Sequence, residues 1–203
     1  MIVRLTATAH IGDTLIIDLI PKESGVVLPF SQRNDLWRYD GMGGVAQTVG
    51  DFGCAMVTAC MVYSRINPLT TPKNFNHTLS TAGGYNILNG CEAHLAWNRL
   101  PQIFPGLLWG GRRDWTRLLT SGELQEVFDL LDVAPLPLWV DYNPKTTAMN
   151  SHFVLGIAHT DRDIQIIDPI DGAVTWLLLR YALPGQDLQR AIWGYRNLGG
   201  DCG

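Results

Sequence analysis

No apolar run in the 203-residue chain approaches the roughly 18 residues that a membrane-crossing helix needs. The first residues also lack the charged-then-apolar layout of a secretory signal, so a soluble protein with no membrane span and no classical export is expected. Charge is sparse as well: 17% of residues are charged, the formal net charge is −4, and Arg112-Arg113 is the only adjacent basic pair. Scattered basic residues make no phosphate-tracking stripe, which removes nucleic acid from the expected partners. The four cysteines, Cys54, Cys60, Cys91 and Cys202, are too few and too irregularly spaced for a disulfide scaffold and are expected as reduced thiols. Cys91-Glu-Ala-His94 places two zinc-ligand types close together, but no second pair at metal-site spacing accompanies it. No metal and no cofactor are expected, and neither internal repeats nor low-complexity segments occur.

What the chain does have is enough apolar material, 46% of its residues, to bury a full core in one domain with a small appendage. Residues 2–9 and 14–20, around Gly12-Asp13, read as a β-hairpin, and the expected division is an appendage over residues 1–28 and a main domain over 29–203. The apolar residues from Cys54 to about Ser64 cover the whole circumference of a helix, which predicts a buried one. Thr71 as N-cap with Pro72 behind it starts a second helix ending near Ala82-Gly83-Gly84. Residues 91–100 read as a short third helix. Thr120 and Glu123 form a capping box for a helix over 121–132, with Leu124, Val127, Phe128 and Leu131 on one face. From Pro135 onward the runs 136–142, 152–159, 163–168, 173–180 and 190–196 read as antiparallel strands. Helices followed by an antiparallel sheet predict an α+β fold.

The most informative stretch is Gln47-Thr-Val-Gly-Asp-Phe-Gly-Cys-Ala-Met56, where a glycine turn delivers Cys54 to the start of the buried helix. Free amide N–H groups and the positive end of a helix stabilise a thiolate there. His152 opens the strand at 152–159 and Asp168 closes the next one, so a tight turn near Thr160-Asp-Arg-Asp163 brings both to neighbouring strands. A nucleophilic thiol needs a base, the base an orienting acid, and the developing oxyanion fixed donors. Cys54, His152 and Asp168 supply the first three roles. The backbone N–H of Cys54 and a side-chain amide, Gln32 or Gln47, would supply the last.

Four segments together resemble the papain-like cysteine peptidases related to the bacteriocin-processing, double-glycine leader peptidases. They are Ser31-Gln-Arg-Asn-Asp-Leu-Trp37, Val49-Gly-Asp-Phe-Gly-Cys-Ala-Met56, Thr71-Pro with Gly83-Gly-Tyr85, and Ser151-His-Phe-Val-Leu155 with Ile167-Asp-Pro169 and Gly172. The likeness spans about residues 30–197. Val57-Thr58 stands where that family usually has Thr-Ser. The resemblance implies a papain-like fold, its nucleophile helix packed on a C-terminal antiparallel sheet. It also implies Cys54 as nucleophile, His152 as general base, Asp168 orienting the imidazole, and Gln32, through the Ser-Gln-Arg element, as oxyanion donor. The expected activity is hydrolysis of an amide or isopeptide bond in a peptide, without a cofactor. By that analogy, a missing signal and an extra N-terminal hairpin suit a phage protein of the virion tail or lytic system, or of the host cytoplasm, acting on cell-wall peptides.

Set against this is a catalytically silent papain-like module serving a larger assembly. The hairpin edge at 14–20 would then recruit a partner chain by strand addition. Cys60, inside the same apolar helix, is expected as core. The seven tryptophans are expected as core and rim anchors. Leu108-Trp-Gly-Gly-Arg-Arg-Asp114 reads as a loop, either solvated or facing substrate. His10, His77 and His94 have no acid or thiol at a persuasive spacing, and His159 lies at the far end of the strand from His152.

Overall fold

The computed structural model describes residues 25–145 and 150–200. The hairpin expected over residues 2–20 lies outside the described residues. In chain order the elements are α1 (Val49–Phe52), α2 (Cys54–Ser64), α3 (Pro72–Thr81), β1 (Tyr85–Leu88), β2 (Glu92–Leu95), a 3₁₀ turn (Trp97–Arg99) and α4 (Leu100–Ile103). There follow β3 (Leu107–Asp114), α5 (Ser121–Val133), β4 (Leu136–Asp141), β5 (Ser151–His159), β6 (Ile164–Asp168), β7 (Ala173–Trp176), α6 (Leu177–Tyr181), α7 (Leu188–Ala191) and β8 (Ile192–Gly200). This is a mixed α+β arrangement around one six-stranded sheet, ordered β3-β8-β4-β5-β6-β7 with every neighbouring pair antiparallel.

The sheet separates two cores, and strand alternation decides which residue enters which. Phe153, Leu155 and Ile167 join the core built on α2 and α3, whereas Val154, Ile164 and Ile166 join the core under α5, α6 and α7. α2 is buried all round, as its composition requires: Met56 through Val62 are each inaccessible or nearly so. The hydroxyl of Thr58, in its middle, donates to the Phe153 carbonyl of β5. α3 and α5 begin where their capping signals stand, each with a reciprocal capping box, Thr71 with Asn74 and Thr120 with Glu123.

Several expected elements differ. Residues 91–100 are not one helix: Glu92–Leu95 is a strand paired with Tyr85–Leu88 and buries Ala93 and Leu95 alternately. Asn89 and Gly90, both at positive φ, make the turn between them, an Asn-Gly hairpin signal that the helical reading passed over. Leu108–Asp114 is not a loop but most of β3, an edge strand paired with β8. Its Gly110-Gly111 is a β-bulge where the register shifts, with Gly111 at φ +106. A strand of the main sheet thus precedes α5, and the order is not helices first and sheet afterwards. The run 173–180 stops being a strand at Trp176, because burying Leu177 and Tyr181, four apart, calls for a helical turn. β8 starts at Ile192 after a short helix capped by the Asp187 side chain, rather than at residue 190.

Candidate active site

The turn before Cys54 is built from close backbone contacts. A Cβ on Gly53 would lie 2.4 Å from the Val49 carbonyl oxygen, and one on Gly50 would lie 2.8 Å from the Arg38 carbonyl oxygen, so neither position accepts a side chain without backbone movement. Gly53 donates its N–H to the Val49 carbonyl, which closes α1 and starts α2 directly with Cys54. The thiol therefore sits on the first residue of an eleven-residue helix, and that residue is half-buried. The amides of Ala55 in this helix and Phe153 in β5, and the His152 imidazole, lie close enough to the thiol to favour its ionised form.

His152 and Asp168 meet because of register. Leu155 pairs with Ile167, so one further step places Asp168 across from Val154, on the same face as His152 and diagonal to it. His152 Nε2 lies 3.2 Å from Asp168 Oδ1, which leaves Nδ1 for the thiol. Asp168 is completely buried, and its carboxylate is saturated. Oδ1 also accepts the Ile170 N–H at 2.9 Å, while Oδ2 accepts the Tyr181 hydroxyl and lies 2.9 Å from Arg180 Nε. Arg180 is in turn held by Asp171 at 2.7 Å. Tyr142 and Tyr181 pack on the imidazole, their ring centroids 5.5 and 5.4 Å from that of His152.

These contacts set the charges. Burial pushes the Cys54 thiol up, but the hydrogen bond and positive charge of His152, with the Phe153 and Ala55 amides, bring it below the ordinary thiol value. Burial pushes His152 down, yet its bonds to Asp168 and Cys54 outweigh that and raise it to about 9. Burial likewise opposes ionisation of Asp168, and His152 and Tyr181 together hold it below the ordinary carboxylate value. Between the two shifted values a thiolate, an imidazolium and a carboxylate coexist, titrating as a coupled set. Such a set can attack an acyl carbon and protonate a leaving amine. By contrast, burial drives the Cys60 thiol far up and makes it inert core.

The two glutamines occupy different places. Gln32 is buried between the cysteine turn and the turn after Asp168: its Nε2 donates to the Gly50 carbonyl at 2.8 Å, and its backbone N–H donates to the Pro169 carbonyl. The neighbouring Ser31 hydroxyl donates to the Ile170 carbonyl at 2.8 Å, so the Ser-Gln element braces both turns. Gln47 lines the cleft beside Cys54, its Oε1 accepting the Ala93 N–H at 2.7 Å. The cleft encloses about 530 Å³, with Gln47, Ala93 and Trp97 on the helical side and Trp139, Phe153 and Arg196 on the sheet side.

Residue-level reasoning missed Tyr181, Arg180, Tyr142 and Thr58. Arg180 is the last residue of the expected strand 173–180 and Tyr181 lies just beyond it; the helical turn Leu177–Tyr181 sends both to Asp168. His159 is stacked on Phe128 and bonded to Asp132, and His94 pairs with Glu92. Among the described residues no group of three His, Cys, Asp or Glu is placed to hold a metal, and no helix is long and apolar enough to cross a membrane. Compared with family models, curated proteins and solved structures, the chain matches none.

Proposed function

We propose that the protein is a papain-like thiol peptidase that cleaves an amide bond through Cys54, His152 and Asp168. The observation that carries this reading is the buried chain of contacts from the Cys54 thiol through the His152 ring to the four-donor Asp168 carboxylate. Four donors satisfy the lone pairs of this buried acid and fix the imidazole in one orientation. In the proposed reaction the Cys54 thiolate attacks the scissile carbonyl carbon, and the backbone N–H of Cys54 and the amide of Gln32 receive the oxyanion. Nε2 donates its bond to Asp168, and Nδ1–H passes its proton to the leaving amine as the C–N bond breaks. Water, deprotonated by the now neutral Nδ1, then releases the acyl group from the thioester and restores the ion pair. Gln32 suits its part because it touches both the cysteine turn and the Asp168 turn, and one N–H of its Nε2 is uncommitted by the Gly50 bond.

The test is to incubate the protein, and Cys54→Ser beside it, with a mixed peptide pool and with peptidoglycan, and to identify new termini by mass spectrometry. New termini made only by the wild type support the reading. Absence of cleavage, together with no acyl-enzyme mass on Cys54, rejects it in favour of a silent module.

A further inference from the structure

The wall of the cleft carries a charge pattern that catalysis at Cys54 leaves unexplained. Arg112 of β3 and Arg196 of β8 are direct cross-strand partners, so their side chains leave the same face of the sheet, and both line the cleft that contains Cys54. Like charges placed directly opposite destabilise a sheet unless something offsets them. Among the described residues the one carboxylate at hand is Asp114, which accepts from Arg196 Nη1 and lies 3.6 Å from Arg112 Nε. Two cations share one anion. No Asp or Glu lines the cleft among the described residues, although the chain as a whole is acidic. Arg196 is 8% exposed, and its Nε is a buried donor with no partner among the described residues. A buried unsatisfied donor on a charged group is costly and calls for an acceptor. The guanidinium also lies over the Phe153 ring, 5.2 Å from its centroid, and Phe153 is the residue whose backbone N–H reaches the Cys54 thiol. An acceptor on the Arg196 guanidinium would therefore lie in the cleft that also holds the Cys54 thiol.

We propose that Arg196 and Arg112 form a subsite for a carboxylate of the substrate peptide, so that the enzyme selects peptides bearing an acidic group next to the scissile bond. This rests on the thiol-peptidase reading of the same cleft. The shared chemistry is a planar carboxylate, which a guanidinium holds through charge-assisted hydrogen bonds. It can come from an acidic side chain or from a free peptide C-terminus.

The experiment measures alkylation of Cys54 by iodoacetate, which carries a carboxylate, and by neutral iodoacetamide, in wild type, Arg112→Gln and Arg196→Gln. The iodoacetate to iodoacetamide rate ratio should fall about tenfold in each variant, the scale of one lost charge-assisted bond. Arg112 is exposed, so its variant keeps the test valid if Arg196→Gln fails to fold. The source of the carboxylate is read from protection of wild-type Cys54 against iodoacetamide by three small ligands. Protection by N-acetylglutamate α-amide assigns an acidic side chain, and protection by N-acetylglutamine assigns a peptide C-terminus. N-acetylglutamine amide, which has no carboxylate, should protect least. A ratio unchanged in Arg112→Gln, or equal protection by all three ligands, overturns the subsite. Iodoacetamide labelling of wild-type Cys54 no faster than that of exposed Cys91 is a separate result and counts against the peptidase reading itself.

Discussion

Replacing Asp168 by asparagine keeps the shape of the side chain and removes its charge, and the surrounding donors make the outcome calculable. The carboxylate receives His152 and the Ile170 N–H on one oxygen, Tyr181 and Arg180 on the other. An amide has one accepting oxygen and one donating nitrogen. If the oxygen faces His152 and Ile170, the NH2 faces Arg180, a cation; if it is flipped, the NH2 faces His152 and the Ile170 N–H. Either way one charged donor in a buried site loses its acceptor, at about 1.5–3 kcal/mol for a charge-assisted bond. Tyr181 can turn its hydroxyl and accept, and Arg180 keeps Asp171, so a stability loss of about 2–3 kcal/mol is expected rather than the larger cost of an isolated buried charge. The imidazolium loses its carboxylate as well. Its titration should fall from about 9 toward the ordinary histidine value of about 6.5, at about 1.4 kcal/mol for each unit. Urea denaturation reads the first quantity, and the alkaline limb of Cys54 alkylation against pH reads the second. An Asp168→Asn protein with unchanged stability and an alkaline limb still near 9 would refute the reasoning.

Three further outcomes are expected. Gly53→Ala forces a methyl to within 2.4 Å of the Val49 carbonyl, so the α1–α2 turn must open; thermal denaturation should show a loss of about 2 kcal/mol or more, with Cys54 alkylation slowed in the folded fraction. Gln32→Ala should lower kcat about 100-fold, the cost of a lost oxyanion donor, whereas Gln47→Ala should change KM more than kcat; the reverse pattern would assign the donor role to Gln47. His152 titrates higher folded, at about 9, than unfolded, near 6.5. Its own contribution is thus complete below about pH 6.5 and is lost as pH rises through about 9, but the depressed Cys54 thiol contributes stability that grows up to its unfolded value of about 8.5. Wild-type denaturation midpoints should therefore stay level between about pH 6.5 and 8.5 and drop only above that, through about 9, and those of His152→Ala should not follow.

Much of this was legible in residue patterns because it depends on local chemistry. The circumference of α2, the caps at Thr71 and Thr120, and the hairpin bringing His152 near Asp168 all follow from short-range spacing. What stayed hidden depends on partners distant in sequence. Leu108–Asp114 became a strand because β8, some 85 residues later, supplies its edge, and its Gly-Gly is a bulge rather than a turn. Leu177–Leu179 is an uninterrupted apolar run with no periodicity, and only the need to bury Leu177 and Tyr181 together decides for a helix. Asn89-Gly90 was the exception: the signal was local and was outweighed by the apolar residues after it. The Arg112–Arg196 pair could not be read at all without the β3–β8 register.

The account stands most directly on the protonation state of Cys54, read as the rate of its alkylation by iodoacetamide from pH 4 to 10 in wild type and His152→Ala, with Cys60 and Cys91 as internal references. It predicts fast wild-type labelling of Cys54 well below the ordinary thiol pKa of about 8.5, and loss of that activation in the variant. A Cys54 profile that rises only with that of exposed Cys91, and is indifferent to His152, would contradict it.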